Sequence, residues 1–239
     1  MINEKLEKLY TEYYPEKMII HCGVVDEETY LASKPRIVFL LKEPHSRKAG
    51  WSIVGGLRRQ VQRGLMGHPF ERRYAYTWVQ AGVWAYAILN GFKSYHELRK
   101  PLFRAKGVQA IGMTNLKKTG GGATSKREII REHAKREADL WRRELEIMGP
   151  DLVICGNTYH DVVDNLELTK VQLLNYNGTP YFYSLWDLGA HKIIILDFWH
   201  PARRGNRAET LKLLEQLIDK VQEKELFAKA LFSHTLNLK

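Results

Sequence analysis

Cysteine is nearly absent: Cys22 and Cys155 are the only two in 239 residues. That excludes a disulfide framework, a four-cysteine zinc site and a four-cysteine iron–sulfur cluster, and it fits a reducing, cytoplasmic setting. Long apolar runs are missing too. The purest, residues 37–41 and 193–196, fall far short of the ~20 residues that span a bilayer, so no membrane partner is expected. Met1-Ile2-Asn3-Glu4-Lys5 carries charge where a signal peptide needs an apolar segment. The nine histidines show no HExxH or similar metal spacing, and the Pro-Cys-x-x-Cys of a zinc deaminase is absent. No metal, no cofactor and no repeat or low-complexity tract is expected.

Basic charge, by contrast, is in excess. Lys plus Arg number 37 and Asp plus Glu 27, a net charge of +10. Such an excess favours an anionic partner, with nucleic acid first. The apolar fraction of 44% lets a chain of this length bury a core. The expectation is one domain over residues 1–239, a monomer, with an N-terminal helix and a C-terminal helical tail packed on a core at 35–205.

The elements follow from pattern. Residues 3–14 read as an amphipathic helix, 36–42 (RIVFLLK) as a buried strand and 74–89 as an Ala-rich core helix. Residues 110–113 form a second apolar run ending in Thr114-Asn115. Ser125-Lys126-Arg127-Glu128 reads as a capping box, opening one helix that carries Ile130, Ala134, Ala138, Trp141, Leu145 and Met148. Residues 152–155 are a third strand, turning through Gly156-Asn157-Thr158 into a helix. Residues 180–185 add a strand, 192–198 are the last buried one, and 208–232 form an amphipathic tail helix. Residues 45–73, rich in Gly and Arg, give no clear element. Strands alternating with helices imply a three-layer α/β/α sandwich around a mainly parallel sheet. Ligands of such sheets gather at the carboxyl ends of the strands.

Polar residues collect at those ends. Glu43-Pro44 follows the first strand, where proline keeps the carboxylate at a turn. Asn115 ends the second, and His200-Pro201 ends the last. A carboxylate, an amide and an imidazole brought together activate water, read the edge of a heterocycle and stabilise a leaving anion.

These motifs, in this order, resemble the uracil-DNA glycosylase superfamily. Leu41-Lys42-Glu43-Pro44-His45 stands where its first motif lies. Met113-Thr114-Asn115-Leu116-Lys117-Lys118 and Pro150–Thr158 (PDLVICGNT) look like the middle motif and next strand of its thermostable branch. His200-Pro201-Ala202 stands for its closing His-Pro-Ser. Gly67-His68-Pro69-Phe70 resembles the segment that stacks on the base. The resemblance implies a uracil-DNA glycosylase-like fold and a monofunctional glycosylase that leaves an abasic site. It implies that Glu43 orients or deprotonates water, that Asn115 binds the base edge and that His200 donates to the base carbonyl. Phe70, or its rival Trp51, would stack on the base, and His45 would border the pocket. Base extrusion costs a few kcal/mol, to be offset by stacking and phosphate contacts.

The departures are specific. Leu41 replaces the usual glycine, and His45 replaces a Tyr or Gly. The cluster-binding cysteines of the thermostable branch are missing, as is the leucine wedge of the last loop. Arg203 and Arg204 stand there instead, to fill the vacated base position, to grip phosphate or to remain solvated. Lys117 and Lys118 are expected on DNA. Arg58, Arg59, Arg63, Arg72 and Arg73 form a basic segment that either tracks a strand or is a solvated helix face. Thr119-Gly120-Gly121-Gly122-Ala123 is not a Walker A loop; it is a flexible loop or an amide cradle for phosphate. The expected substrate is DNA carrying uracil or, given the changes at Leu41 and His45, a modified pyrimidine. The role would be base-excision repair, or defence against phage DNA with modified bases. A non-catalytic nucleic-acid-binding module and a nucleoside or nucleotide hydrolase remain the alternatives.

Overall fold

The computed structural model describes residues 1–15, 19–46, 50–64, 72–121, 125–189, 191–225, 228 and 232, with the backbone alone for 72–75. In chain order the first elements are α1 (Ile2–Tyr13), β1 (Ile20–His21), β2 (Gly23–Val24), α2 (Glu27–Ala32), β3 (Ile37–Leu41), β4 (Trp51–Ser52), α3 (Ile53–Gln62), α4 (Arg72–Asn90), α5 (Tyr95–Leu98) and α6 (Pro101–Gln109). There follow β5 (Ile111–Asn115), α7 (Arg127–Arg136), α8 (Ala138–Met148), β6 (Leu152–Gly156), α9 (Tyr159–Asn165), β7 (Val171–Tyr176), β8 (Thr179–Asp187), β9 (Lys192–Phe198) and α10 (Arg207–Lys224).

Seven strands form one sheet in the order β2-β5-β3-β6-β9-β8-β7. The middle four, β5, β3, β6 and β9, are parallel, as the alternation of strands and helices predicts. Antiparallel β2 flanks them on one side and the β8–β7 hairpin on the other. β1 and β4 pair separately. Every residue of β3, β5 and β6 is buried, as expected of a parallel sheet covered on both faces.

Successive residues of a strand point to opposite faces. Phe39 and Phe198 meet Trp84 of α4, with ring centroids 6.3 and 4.9 Å apart. Val38 lies on the other face, where it and Met148 of α8 crowd Gly112. Asp197 shares that side with Tyr159 of α9. After β3 the chain enters helices on the Trp84 face; after the adjacent β6 it enters α9 on the opposite face. The carboxyl ends of β3 and β6 therefore part, and ligands of open α/β sheets bind in such a crevice.

Several local expectations are corrected. Ser125 and Glu128 form no capping box: α7 begins behind Lys126, which makes no side-chain cap. The single helix expected from Ile130 to Met148 breaks at Glu137 (φ −104°, ψ 20°). There the Glu137 carboxylate takes His133 and Arg136, each at 2.8 Å. The indole of Trp141 donates to the Ala134 carbonyl at 2.9 Å, in place of the next helical turn. The tail helix expected over 208–232 is interrupted after Lys224, where Glu225 turns extended (φ −116°, ψ 107°) and accepts the Tyr183 hydroxyl at 2.6 Å; residues 228 and 232 are again helical. β7 has no counterpart in the sequence reading. Asn177-Gly178 makes its turn into β8, with φ of 50° and 79°, the left-handed pair that tight hairpins favour.

One buried cluster ties the layers together. Lys118 and Glu144 form an ion pair with both side chains 0% exposed. Lys118 Nζ also donates to Thr114 Oγ1 at 2.6 Å, and Thr114 donates to Glu144 at 2.7 Å. Tyr10 of α1 donates to the same carboxylate. Lys118 was expected on DNA; burial removes it from any such contact. Removing one partner of a buried pair strands the other charge, at a cost of about 3–5 kcal/mol. Lys118→Met and Glu144→Met should each lose that much in urea unfolding, whereas the double variant should recover most of it. Additive losses would contradict the coupling.

Candidate active site

The first motif continues β3 beyond its last residue. Leu116 and Lys117 amides donate to the carbonyls of Leu41 and Lys42, at 2.9 and 3.0 Å, which ties the two segments together where both bend beyond the ends of β3 and β5. Side-chain alternation persists: Lys42 faces the α9 side of the sheet and Glu43 the α4 side. A cleft of about 100 Å³ opens on the α4 side. Leu41, Glu43, Pro44, His45, Asn115 and His200 line it, joined by Trp51 and Ile53 from the β4–α3 junction. Among the described residues, Thr77 and Trp78 of α4 complete the wall. Five residues singled out from sequence, Glu43, His45, Trp51, Asn115 and His200, thus share one cleft. Phe70 and the Gly67-His68-Pro69-Phe70 segment lie outside the described residues, as do the side chains of Arg72 and Arg73.

Glu43 is tightly held. Its side chain is 7% exposed, and Lys117 Nζ reaches its carboxylate at 2.5 Å. Lys117 also donates to the Gly120 carbonyl at 3.2 Å. Lys117 is therefore a partner of Glu43 and not the free DNA contact expected of it. On its other side the carboxylate rests against Gly121, where a Cβ would lie 2.0 Å from Glu43 Cδ. The Gly121 amide donates to the Pro44 carbonyl at 2.9 Å, and a Cβ on Gly120 would lie 2.0 Å from the Ser46 carbonyl oxygen. The described part of the glycine run is thus neither a loose loop nor an amide cradle. It is packed against the first motif, and glycine is required because the carboxylate occupies the space of a side chain.

Asn115 is 2% exposed. Its Nδ2 donates to Cys22 Sγ at 3.4 Å, which orients the amide at the cleft wall. Burial pushes the Cys22 thiol up, so it acts as a neutral, apolar-site partner. Sequence alone gave Cys22 no role beyond its count.

His200 follows β9. Its Nδ1 accepts the Ala202 amide at 3.1 Å. Nδ1 therefore carries no proton, and the neutral ring holds its proton on Nε2. Burial, aided by the positive charge of Lys42, pushes the imidazole down to about 4. At neutral pH His200 is an uncharged donor.

Trp51 is half-buried, and its indole nitrogen donates to Ser46 Oγ at 3.3 Å. Ser52 caps α3 by accepting the Gly55 amide at 3.1 Å, which fixes the turn that presents Trp51. Trp78, within the core helix expected over 74–89, is only partly buried and borders the cleft. Thr77 gave no sequence signal.

The basic residues are less uniform than expected. Arg203, Arg204, Arg58 and Arg59 are exposed. Arg203 stacks on the Trp199 ring, 3.7 Å from its centroid. Arg58 Nε donates to the Val25 carbonyl at 2.9 Å, which pins that guanidinium to the β2 end. Among the described residues no group of three or more His, Cys, Asp or Glu could hold a metal ion, and no helix is long and apolar enough to cross a membrane.

No known protein-family model matches this chain, and no curated protein sequence does.

Two outcomes follow from this geometry. The His200 ring should titrate near pH 4 and show the Nε2-protonated tautomer at pH 7 in long-range ¹H–¹⁵N correlation spectra; a midpoint near the ordinary value of about 6.5 contradicts it. Gly121→Ala should destabilise the protein by roughly 1–3 kcal/mol through overpacking and displace Glu43, which a crystal structure of the variant would reveal as a broken Glu43–Lys117 pair.

Proposed function

We propose that this chain is a DNA glycosylase with a uracil-DNA glycosylase-like fold. It hydrolyses the N-glycosidic bond of a flipped uracil or modified pyrimidine. The observation that carries the reading is the convergence of Glu43, Asn115 and His200 on one cleft at the carboxyl ends of β3, β5 and β9. The cleft measures about 100 Å³, less than the ~150 Å³ that encloses benzene, so in this reading it takes the edge of an extruded base through its open mouth and excludes a whole nucleotide.

Each side chain then has a task. Asn115, fixed by Cys22, hydrogen-bonds the edge of the base. As the glycosidic bond lengthens, the base gains negative charge, and the Nε2–H of His200 donates to its carbonyl oxygen. A donor aimed at developing charge in a dry site is worth ~10²–10³ in rate. Glu43 orients the water that attacks the sugar, and the Lys117 cation and Gly121 hold its carboxylate in place. Trp51 or Trp78 offers a ring face to the base. The exposed Arg203 and Arg204 of the last loop grip the strand, supported by the net charge of +10.

The product is an abasic site, with no strand cleavage by the protein itself. Lys117, the amine next to Glu43, is engaged with that carboxylate and with the Gly120 carbonyl and does not line the cleft, so it serves the carboxylate and is not the nucleophile.

The test is incubation with duplex and single-stranded DNA carrying uracil, hypoxanthine, 5-hydroxymethylcytosine or its glucosylated form, followed by alkali. Strand breaks on at least one member are expected, and the member cleaved names the base and separates repair from phage defence. Glu43→Gln should lower the single-turnover rate by ~10²–10⁴, and His200→Ala by ~10²–10³. Borohydride should trap no covalent adduct. Salt-sensitive binding without breaks on any member would replace this reading with that of a non-catalytic binding module, and turnover of free nucleosides alone with that of a small-molecule hydrolase.

A further inference from the structure

The opposite side of the sheet carries a second, larger cavity. It measures about 290 Å³, at the lower edge of the roughly 300–1,000 Å³ usual for small-molecule pockets. It opens at the carboxyl ends of β3, β6 and β9, against α7 and α9. Nothing in the proposed glycosylase chemistry uses it.

Its polar lining is distinctive. Lys42 and Arg127 bring two cations to the cavity. Among the described residues neither is ion-paired with a carboxylate. Two carboxylates are also present, and they differ. Asp161 is engaged by Arg131 at 3.6 Å. Asp197 makes no side-chain hydrogen bond or ion pair among the described residues, and burial alone pushes it up to about 7. A carboxyl in that condition is able to donate its proton to an anion beside it. At the rim, Asn157 is a non-glycine residue in the left-handed region (φ 59°), a conformation that clusters where backbone geometry serves a site. The cavity therefore brings two cations that form no ion pair among the described residues to a space also lined by Asp161, Asp197 and Asn157, with room for a small molecule.

We propose that this cavity binds a phosphomonoester dianion. Lys42 and Arg127 match its two charges, and Asp197 and Asn157 hydrogen-bond its oxygens. The phosphate comes either from a free nucleotide or sugar phosphate, or from the 5′-phosphorylated end of a DNA strand. The assignment stands apart from the glycosylase reading, because none of these four side chains lines the base cleft.

The experiment is calorimetric titration of the full chain at low salt with 2-deoxyribose 5-phosphate, which has the phosphomonoester and no base to enter the cleft. 2-Deoxyribose is the control ligand. Saturable binding of the phosphate alone is expected, weakened about tenfold or more by Lys42→Ala and by Arg127→Ala, with each variant checked for an unchanged melting temperature. Lys212→Ala, an exposed lysine on α10, should leave it unchanged. Arg127 is exposed, so its variant keeps the test open even where Lys42→Ala unfolds. A 5′-phosphorylated oligonucleotide binding more tightly than its 5′-hydroxyl twin, with the difference lost in the two variants, assigns the strand end; equal binding of the two assigns the free molecule. No saturable binding, or binding indifferent to both substitutions, overturns the proposal.

Discussion

The buried ion pair of Lys118 and Glu144 is the constraint on which the site depends. A charged pair with no exposure is costly to form unless its remaining polar atoms are satisfied. Here Thr114 and Tyr10 supply the missing hydrogen bonds. The cluster draws α1, β5, α8 and the segment after β5 to one point. Because Lys118 is locked inward, Lys117 is turned the other way, onto Glu43. Two consecutive lysines thus divide the work: one fixes the loop to the core and the other fixes the carboxylate at the cleft.

The same division recurs at the end of β3. Lys42 and Glu43 extend the strand alternation by two residues and so face opposite sides of the sheet. The carboxylate enters the base cleft, while the cation enters the second cavity and adds to the depression of His200. The two cavities are separate spaces joined by one backbone segment and one electrostatic neighbour. A ligand that neutralised Lys42 would be felt at the imidazole without touching it.

Much of this was legible beforehand. The apolar runs at 37–41, 152–155 and 192–198 gave strands because burial on both faces leaves no alternation to read. The convergence of Glu43, Asn115 and His200 follows from their place at strand ends. What stayed hidden were facts of tertiary contact. No local pattern tells that Lys118 is internal, since lysine is mostly exposed and the acid it meets lies 26 residues away. The break at Glu137 needs the Trp141 indole, and the fixed spacing of Gly121 needs the Glu43 carboxylate. Cys22 gains its role only when β2 is laid beside β5. The Asn177-Gly178 turn is a readable hairpin signal, but β7 beside it has a weak, half-exposed pattern that does not mark a strand.

One hydrogen bond at the last loop has a wider meaning. The donor that sets the His200 tautomer is the main-chain amide of Ala202, not a side chain. Any residue other than proline supplies that amide, so position 202 is free to drift in sequence while the imidazole keeps its proton on the same nitrogen. Gly121 is the reverse case, where an added methyl group meets the Glu43 carboxylate. The two halves of this site therefore constrain their own sequence in opposite ways: one function is carried by a backbone atom that nearly every residue has, and the other by the absence of a side chain.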